Sequence, residues 1–102
     1  MIAQTVEYVE KNYRNEISLE ACTELTGSSY TYLSRAFKQE TGMRFVEFLN
    51  RLRIKKVKSL LIRKELSMKE IVEFAGFRNY NYFFKVFRES EGLTPSEFAA
   101  KN

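Results

Sequence analysis

Apolar residues recur at helical spacing through nearly the whole chain, broken at short intervals by glycine and polar turns. Ile2, Val6, Val9 and Tyr13 form the first stripe, with Glu7, Glu10 and Lys11 off it, and predict a helix over about 2–13. Asn12 to Glu16 is a polar break. Ser18 is a candidate N-cap for a helix over about 19–26, and Gly27 ends it by tolerating positive φ. Ser29 caps the next, about 30–41, with Leu33, Ala36 and Phe37 inward, and Gly42 stops it. The longest pattern runs over 44–63, with Phe45, Phe48, Leu49, Leu52, Val57, Leu60 and Leu61 on its apolar side. Ser67-Met68-Lys69-Glu70 is a capping box opening a short helix that ends at Gly76. Residues 80–91 form a further helix with Phe83, Val86 and Phe87 inward. Thr94-Pro95-Ser96-Glu97 opens the last one with a cap, a proline at the first helical position and a carboxylate at the third. The pattern predicts seven helices, no strand and no long linker: an all-α fold.

Half of this pattern is a copy of the other half. Ser18-Leu-Glu-Ala-Cys-Thr-Glu-Leu-Thr-Gly27 returns, recast, as Ser67-Met-Lys-Glu-Ile-Val-Glu-Phe-Ala-Gly76, 49 positions later. Tyr30, Tyr32, Phe37 and Gly42 then match Tyr80, Tyr82, Phe87 and Gly92 at an offset of 50, as do Glu47-Phe48 and Glu97-Phe98. Short helix, glycine turn and second helix are the layout of a helix-turn-helix. The chain therefore reads as a first helix-turn-helix subdomain over about 2–43, a linker helix over about 44–63 and a second subdomain over about 64–100.

Charge points the same way. The net charge of +4 is concentrated: Arg44, Arg51, Arg53, Lys55, Lys56, Lys58, Arg63 and Lys64 are opposed before Glu65 only by Glu47. Such a block favours a polyanionic partner, although a solvated helix face carries the same signature.

The absences exclude chemistry. There is no His and no Asp, all thirteen acids are Glu, and Cys22 is the single cysteine. A Ser-His-Asp or Cys-His arrangement cannot be assembled within the chain, and a zinc site would need carboxylates alone. No metal and no cofactor are expected. Cys22 occupies the place of Ile71 in the second copy, which reads as a small buried hydrophobe rather than a nucleophile. One cysteine allows no internal disulfide, and no leader or membrane-length apolar run is present, so the expected location is the cytoplasm.

In a helix-turn-helix the second helix enters the major groove and its solvent side reads bases. With Leu33, Ala36 and Phe37 inward, the opposite face of the first unit carries Thr31, Ser34, Arg35 and Lys38. Arg35 is the strongest candidate base reader, because its planar fork matches the O6 and N7 acceptors of guanine. Thr31 and Ser34 are short enough for close approach. Lys38 suits phosphate; Tyr30, Tyr32, Tyr80 and Tyr82, in the first turns, either pack with the hydroxyl reaching water or, for one or two of them, with Tyr32 the candidate, bond phosphate. Adding 50 gives Asn81, Phe84, Lys85 and Arg88. Asn81 can pair with adenine, Lys85 with guanine or phosphate, and Arg88 with phosphate. Phe84 either meets thymine methyls or packs on Tyr80. From the basic block, Arg53 and Lys56 are the candidate phosphate contacts. A helix of about 20 residues spans roughly 30 Å, against about 34–36 Å between successive major-groove segments on one side of B-DNA. Two recognition helices in adjacent groove segments are the expected arrangement, and with a rigid linker the shortfall favours bent DNA or leaves one unit loosely engaged.

These motifs resemble the DNA-binding domain of the AraC/XylS family of bacterial transcription regulators. The similarity runs from about Ile2 to Phe98. It rests on Tyr32-Leu-Ser-Arg-Ala-Phe-Lys38 with Glu40-Thr-Gly42, on Leu49-Asn-Arg-Leu-Arg-Ile54, on Gly76-Phe77, on Tyr82-Phe83 with Val86-Phe-Arg88, and on Gly92-Leu-Thr-Pro-Ser-Glu-Phe98. The resemblance implies seven helices in two subdomains joined by a long helix, a bipartite promoter site, and activation by recruiting RNA polymerase. It implies base contacts at Thr31, Ser34 and Arg35, and at Tyr80, Asn81, Phe84 and Lys85. The chain departs from the family in having Arg78 at the usual cap of the second recognition helix, where Asn79 is the substitute, and Phe84 where a small polar residue is common. Family members usually carry a sensing or dimerising domain ahead of this one, so the sequence is expected to be part of a longer protein. Two other readings stay open: a helical protein-interaction module using its basic central helix, and a fragment of an alkyl-transferring repair enzyme in which Cys22 is reactive.

Overall fold

Helix starts and stops in this chain are written in its side chains, and the computed structural model, which describes residues 2–102, follows them closely. Its elements are α1 (Ile2–Asn12), α2 (Leu19–Thr26), α3 (Tyr30–Thr41), α4 (Phe45–Arg63), α5 (Met68–Ala75), α6 (Tyr80–Glu91) and α7 (Pro95–Lys101), with no strand among the described residues. The Ser18 hydroxyl accepts the Ala21 N–H at 3.2 Å, and Ser29 accepts that of Tyr32 at 3.2 Å. Ser67 and Glu70 close a complete capping box, as do Thr94 and Glu97. α4 starts differently. Arg44 has no capping oxygen, yet its own N–H donates to the Glu47 carboxylate at 2.9 Å, the reciprocal half of the same device. At the other end of α2 and α5, Gly27 (φ 74°) and Gly76 (φ 104°) turn the chain left-handed, a conformation that strains any residue with a Cβ.

The chain divides into two compact units, Met1–Leu52 and Arg53–Asn102. In the first, α1, α2, α3 and the start of α4 bury Val9, Leu19, Cys22, Leu33, Phe37, Phe45 and Leu49. In the second, the rest of α4 joins α5, α6 and α7 around Ile54, Val57, Leu60, Leu61, Ile71, Phe77, Phe83 and Phe87. The internal duplication is therefore structural. Phe37 meets Phe48 edge-on at 5.3 Å, and their counterparts Phe87 and Phe98 meet edge-on at 5.8 Å. The opening of α4 is the first unit's version of α7.

Two buried positions lie off the predicted stripes. Thr5 is fully buried beside Val9, while Ile2, Val6 and Tyr13 are only partly covered. The buried row of α1 thus passes through a polar residue that a hydropathy pattern places outside. Ile54 is buried as well, because α4 changes partner core along its length and one continuous stripe does not describe it.

Candidate nucleic-acid interface

α3 is fixed from below by Leu33 and Phe37, both fully buried, and from its start by the Ser29 cap. That anchoring leaves Thr31, Ser34, Arg35 and Lys38 exposed along one face, with Tyr30 and Tyr32 exposed in the first turn. The structure thus brings together all four residues predicted for this face. It adds neighbours that were not assigned to it: a cleft of about 800 Å³ runs between the start of α2, α3 and the start of α4, and its lining includes Ser34, Arg35, Lys38, Arg44 and Glu20. Arg44 was legible only as a member of the basic block, and Glu20 only as one residue of the repeated string Ser18–Gly27. Their convergence on Arg35 is a tertiary fact.

α6 repeats the construction. Phe83 and Phe87 are fully buried, and the Asn79 side chain accepts the Tyr82 N–H at 2.9 Å. Asn79 thus stands at the position of Ser29 and caps the helix, with Arg78 exposed before it. Tyr80, Asn81, Lys85 and Arg88 are exposed, whereas Phe84 is half-buried. Its ring lies 6.0 Å from that of Tyr80 and 6.5 Å from that of Phe83. Packing on Tyr80 is therefore established, and one part of the ring remains open to solvent.

The basic block is less free than its sequence suggests. Lys58 pairs with Glu91 at 2.9 Å, Arg63 with Glu65 at 2.8 Å, and Lys64 donates to the Ala99 carbonyl at 3.2 Å. The Lys56 ammonium lies 5.5 Å from the centre of the Phe74 ring. The Arg53 guanidinium sits half-buried over Phe77, 5.7 Å from the ring centre. Burial pulls its pKa below the ordinary arginine value, against the neighbouring Tyr82 and with the help of Arg78. Lys55 stays exposed.

Cys22 is fully buried, and burial pushes its thiol above the usual range, away from the reactive thiolate. Among the described residues no group of three acids, cysteines or histidines is placed to hold a metal ion.

A sequence profile described as a helix-turn-helix domain matches residues 22–101. The C-terminal domain of AraT, a response regulator from Geobacillus stearothermophilus, superimposes with a TM-score of 0.93 at 30% identity, covering 99% of this chain and 84% of that one. A probable AraC family transcriptional regulator from Rhodopseudomonas palustris superimposes at 0.86 with 28% identity, covering 98% and 94%. The chain belongs to the AraC/XylS family. It is a helix-turn-helix, DNA-binding domain of a transcription regulator, and α2–α3 and α5–α6 are its two helix-turn-helix elements. The transcriptional regulatory protein YesN of Bacillus subtilis is 46% identical over 72 residues, which are 69% of this chain and 20% of YesN. This AraC-type domain spans between 20% and 58% of the length of the curated relatives it matches. No helix among the described residues is long and apolar enough to cross a membrane.

Proposed function

We propose that this AraC-type domain binds a bipartite promoter site, placing α3 and α6 in adjacent major-groove segments of double-stranded DNA. One observation carries the reading. Two helices 50 positions apart are each capped at their start, each pinned by two fully buried side chains, and each left with exposed polar residues at matching positions, Thr31, Arg35 and Lys38 against Asn81, Lys85 and Arg88. A coincidence of local pattern gives one such helix; a duplicated reader gives two.

In this reading Arg35 reads guanine through its two-pronged donor set, while Thr31 and Ser34 admit the helix deeply enough for it to do so. Asn81 pairs with adenine, Lys85 meets guanine or phosphate, Tyr80 contacts a base, and the open part of the Phe84 ring, tilted against Tyr80, meets thymine methyls. Tyr32, Lys38 and Arg88 meet the backbone, with Arg53 and Lys56 contributing from α4. Binding beside a promoter raises transcription by recruiting RNA polymerase, under the control of a sensing or dimerising domain attached ahead of this one. The work is done in the cytoplasm, and the domain catalyses nothing. Selection of binding sites from a random duplex pool is the direct test: two enriched motifs at a fixed spacing are expected, and a pool that stays unenriched overturns the proposal.

A further inference from the structure

The two units look alike but are charged oppositely. Met1–Leu52 holds six cations against seven glutamates, a net of −1; Arg53–Asn102 holds eleven cations against six glutamates, a net of +5. The contrast reaches the DNA-facing parts. Glu20, in the first turn of α2, lines the cleft that contains Arg35, Lys38 and Arg44. Its counterpart in the repeat, 49 positions on, is the exposed Lys69 of α5. At one equivalent place the first unit offers a carboxylate to an approaching backbone and the second offers an ammonium. Sequence-independent binding is almost entirely the neutralisation of phosphates by cations. A net-negative body with an acid inside its reading cleft gains little from that, whereas a body of +5 gains much.

We infer that the units divide the work. The second holds any duplex through its charge and adds its own base contacts where they are met, and the first engages fully only where its base contacts offset the repulsion at Glu20. This rests on the DNA-binding reading above and adds to it a sequence of events: grip through α6 and its surroundings, then test through α3. Specificity follows from the imbalance, because a mismatch at the first half-site costs the first unit's engagement without releasing the protein from DNA.

Lys38 and Arg88 make a matched test, since they are exposed, equivalent in the repeat and both assigned to phosphate. The salt dependence of binding is measured for the full chain on a selected duplex and on a random one. Each phosphate contact contributes about 0.9 to the slope of log K against log salt. Arg88→Gln is expected to lower the slope by about that amount on both duplexes. Lys38→Gln is expected to lower it on the selected duplex, and by less than about a third as much on the random one. Glu20→Lys should steepen the random-duplex slope towards the selected one, because it lets the first unit engage everywhere. If Lys38→Gln and Arg88→Gln reduce the random-duplex slope equally, or Glu20→Lys leaves it unmoved, the division of labour is wrong while the DNA-binding reading stands. If the unaltered chain fails to prefer any selected duplex over random DNA, the DNA-binding reading itself falls.

Discussion

Arg35 has three properties that a base reader needs at once: exposure, a fork of fixed geometry, and a rigid platform beneath it in Leu33 and Phe37. Arg35→Ala is expected to cost roughly 1–3 kcal/mol on a selected duplex and to relax preference at one base pair. Fluorescence anisotropy against single-base variants of that duplex reads both effects; a loss of the same size on every sequence would reassign Arg35 to phosphate. Lys58 teaches the opposite lesson. The sequence places it in the same basic block as Lys55, but its ammonium lies between the Glu91 carboxylate and the face of Phe98. Lys58→Gln should therefore lower stability by no more than about 1 kcal/mol, as partly exposed pairs do, and leave the salt slope of DNA binding where it was. A shallower slope would return Lys58 to the interface. Lys58 and Glu91 are 33 positions apart, so nothing in a local pattern reveals that they meet.

The elements were legible because their ends are chemically marked. Ser18, Ser29, Ser67, Thr94 and the four glycines each act locally, within a turn, and local rules suffice to find them. What escaped was decided by packing. Thr5 takes a core position because of its place on the buried row of α1, and Ile54 because α4 passes from one core to the other. The capping boxes carry a pH dependence. Hydrogen bonds from the backbone and hydroxyl of Ser67 hold Glu70 below the usual carboxylate range, and those of Thr94 do the same for Glu97. At Glu91, burial pushes the carboxyl up, but Ser90 and Lys58 pull it further down. A carboxyl depressed in the folded state contributes stability above its unfolded value and loses that contribution as pH falls through the folded one. Melting temperature is thus expected to hold through neutral pH and decline on the acid side, beginning near the ordinary carboxylate range. Ser67→Ala and Thr94→Ala should each cost about 1 kcal/mol at neutral pH and flatten that decline. Variants that melt like the parent at pH 7 and at pH 4 would show that the caps contribute nothing.

At the scale of the whole molecule, duplication explains why one chain carries two helix-turn-helix units of the same build. Each unit builds its platform from one central phenylalanine held edge-on by a neighbour eleven residues later: Phe37 by Phe48, and Phe87 by Phe98. Phe37 belongs to a buried cluster drawn from α1, α2, α3 and the first half of α4, and Phe87 to one drawn from the second half of α4 with α5, α6 and α7. Deleting either ring leaves a cavity that helices of 8 to 12 residues have little means to close, so Phe37→Ala and Phe87→Ala are each expected to cost about 3–5 kcal/mol. Where that cost appears is the sharper question. Because the two clusters are filled by different side chains, amide exchange in Phe37→Ala should accelerate first in α2 and α3 and in Phe87→Ala first in α5 and α6, as sub-global openings of separate cooperative segments. Residue-resolved hydrogen exchange under native conditions distinguishes this from a single cooperative body, in which both substitutions would speed exchange in α3 and α6 alike.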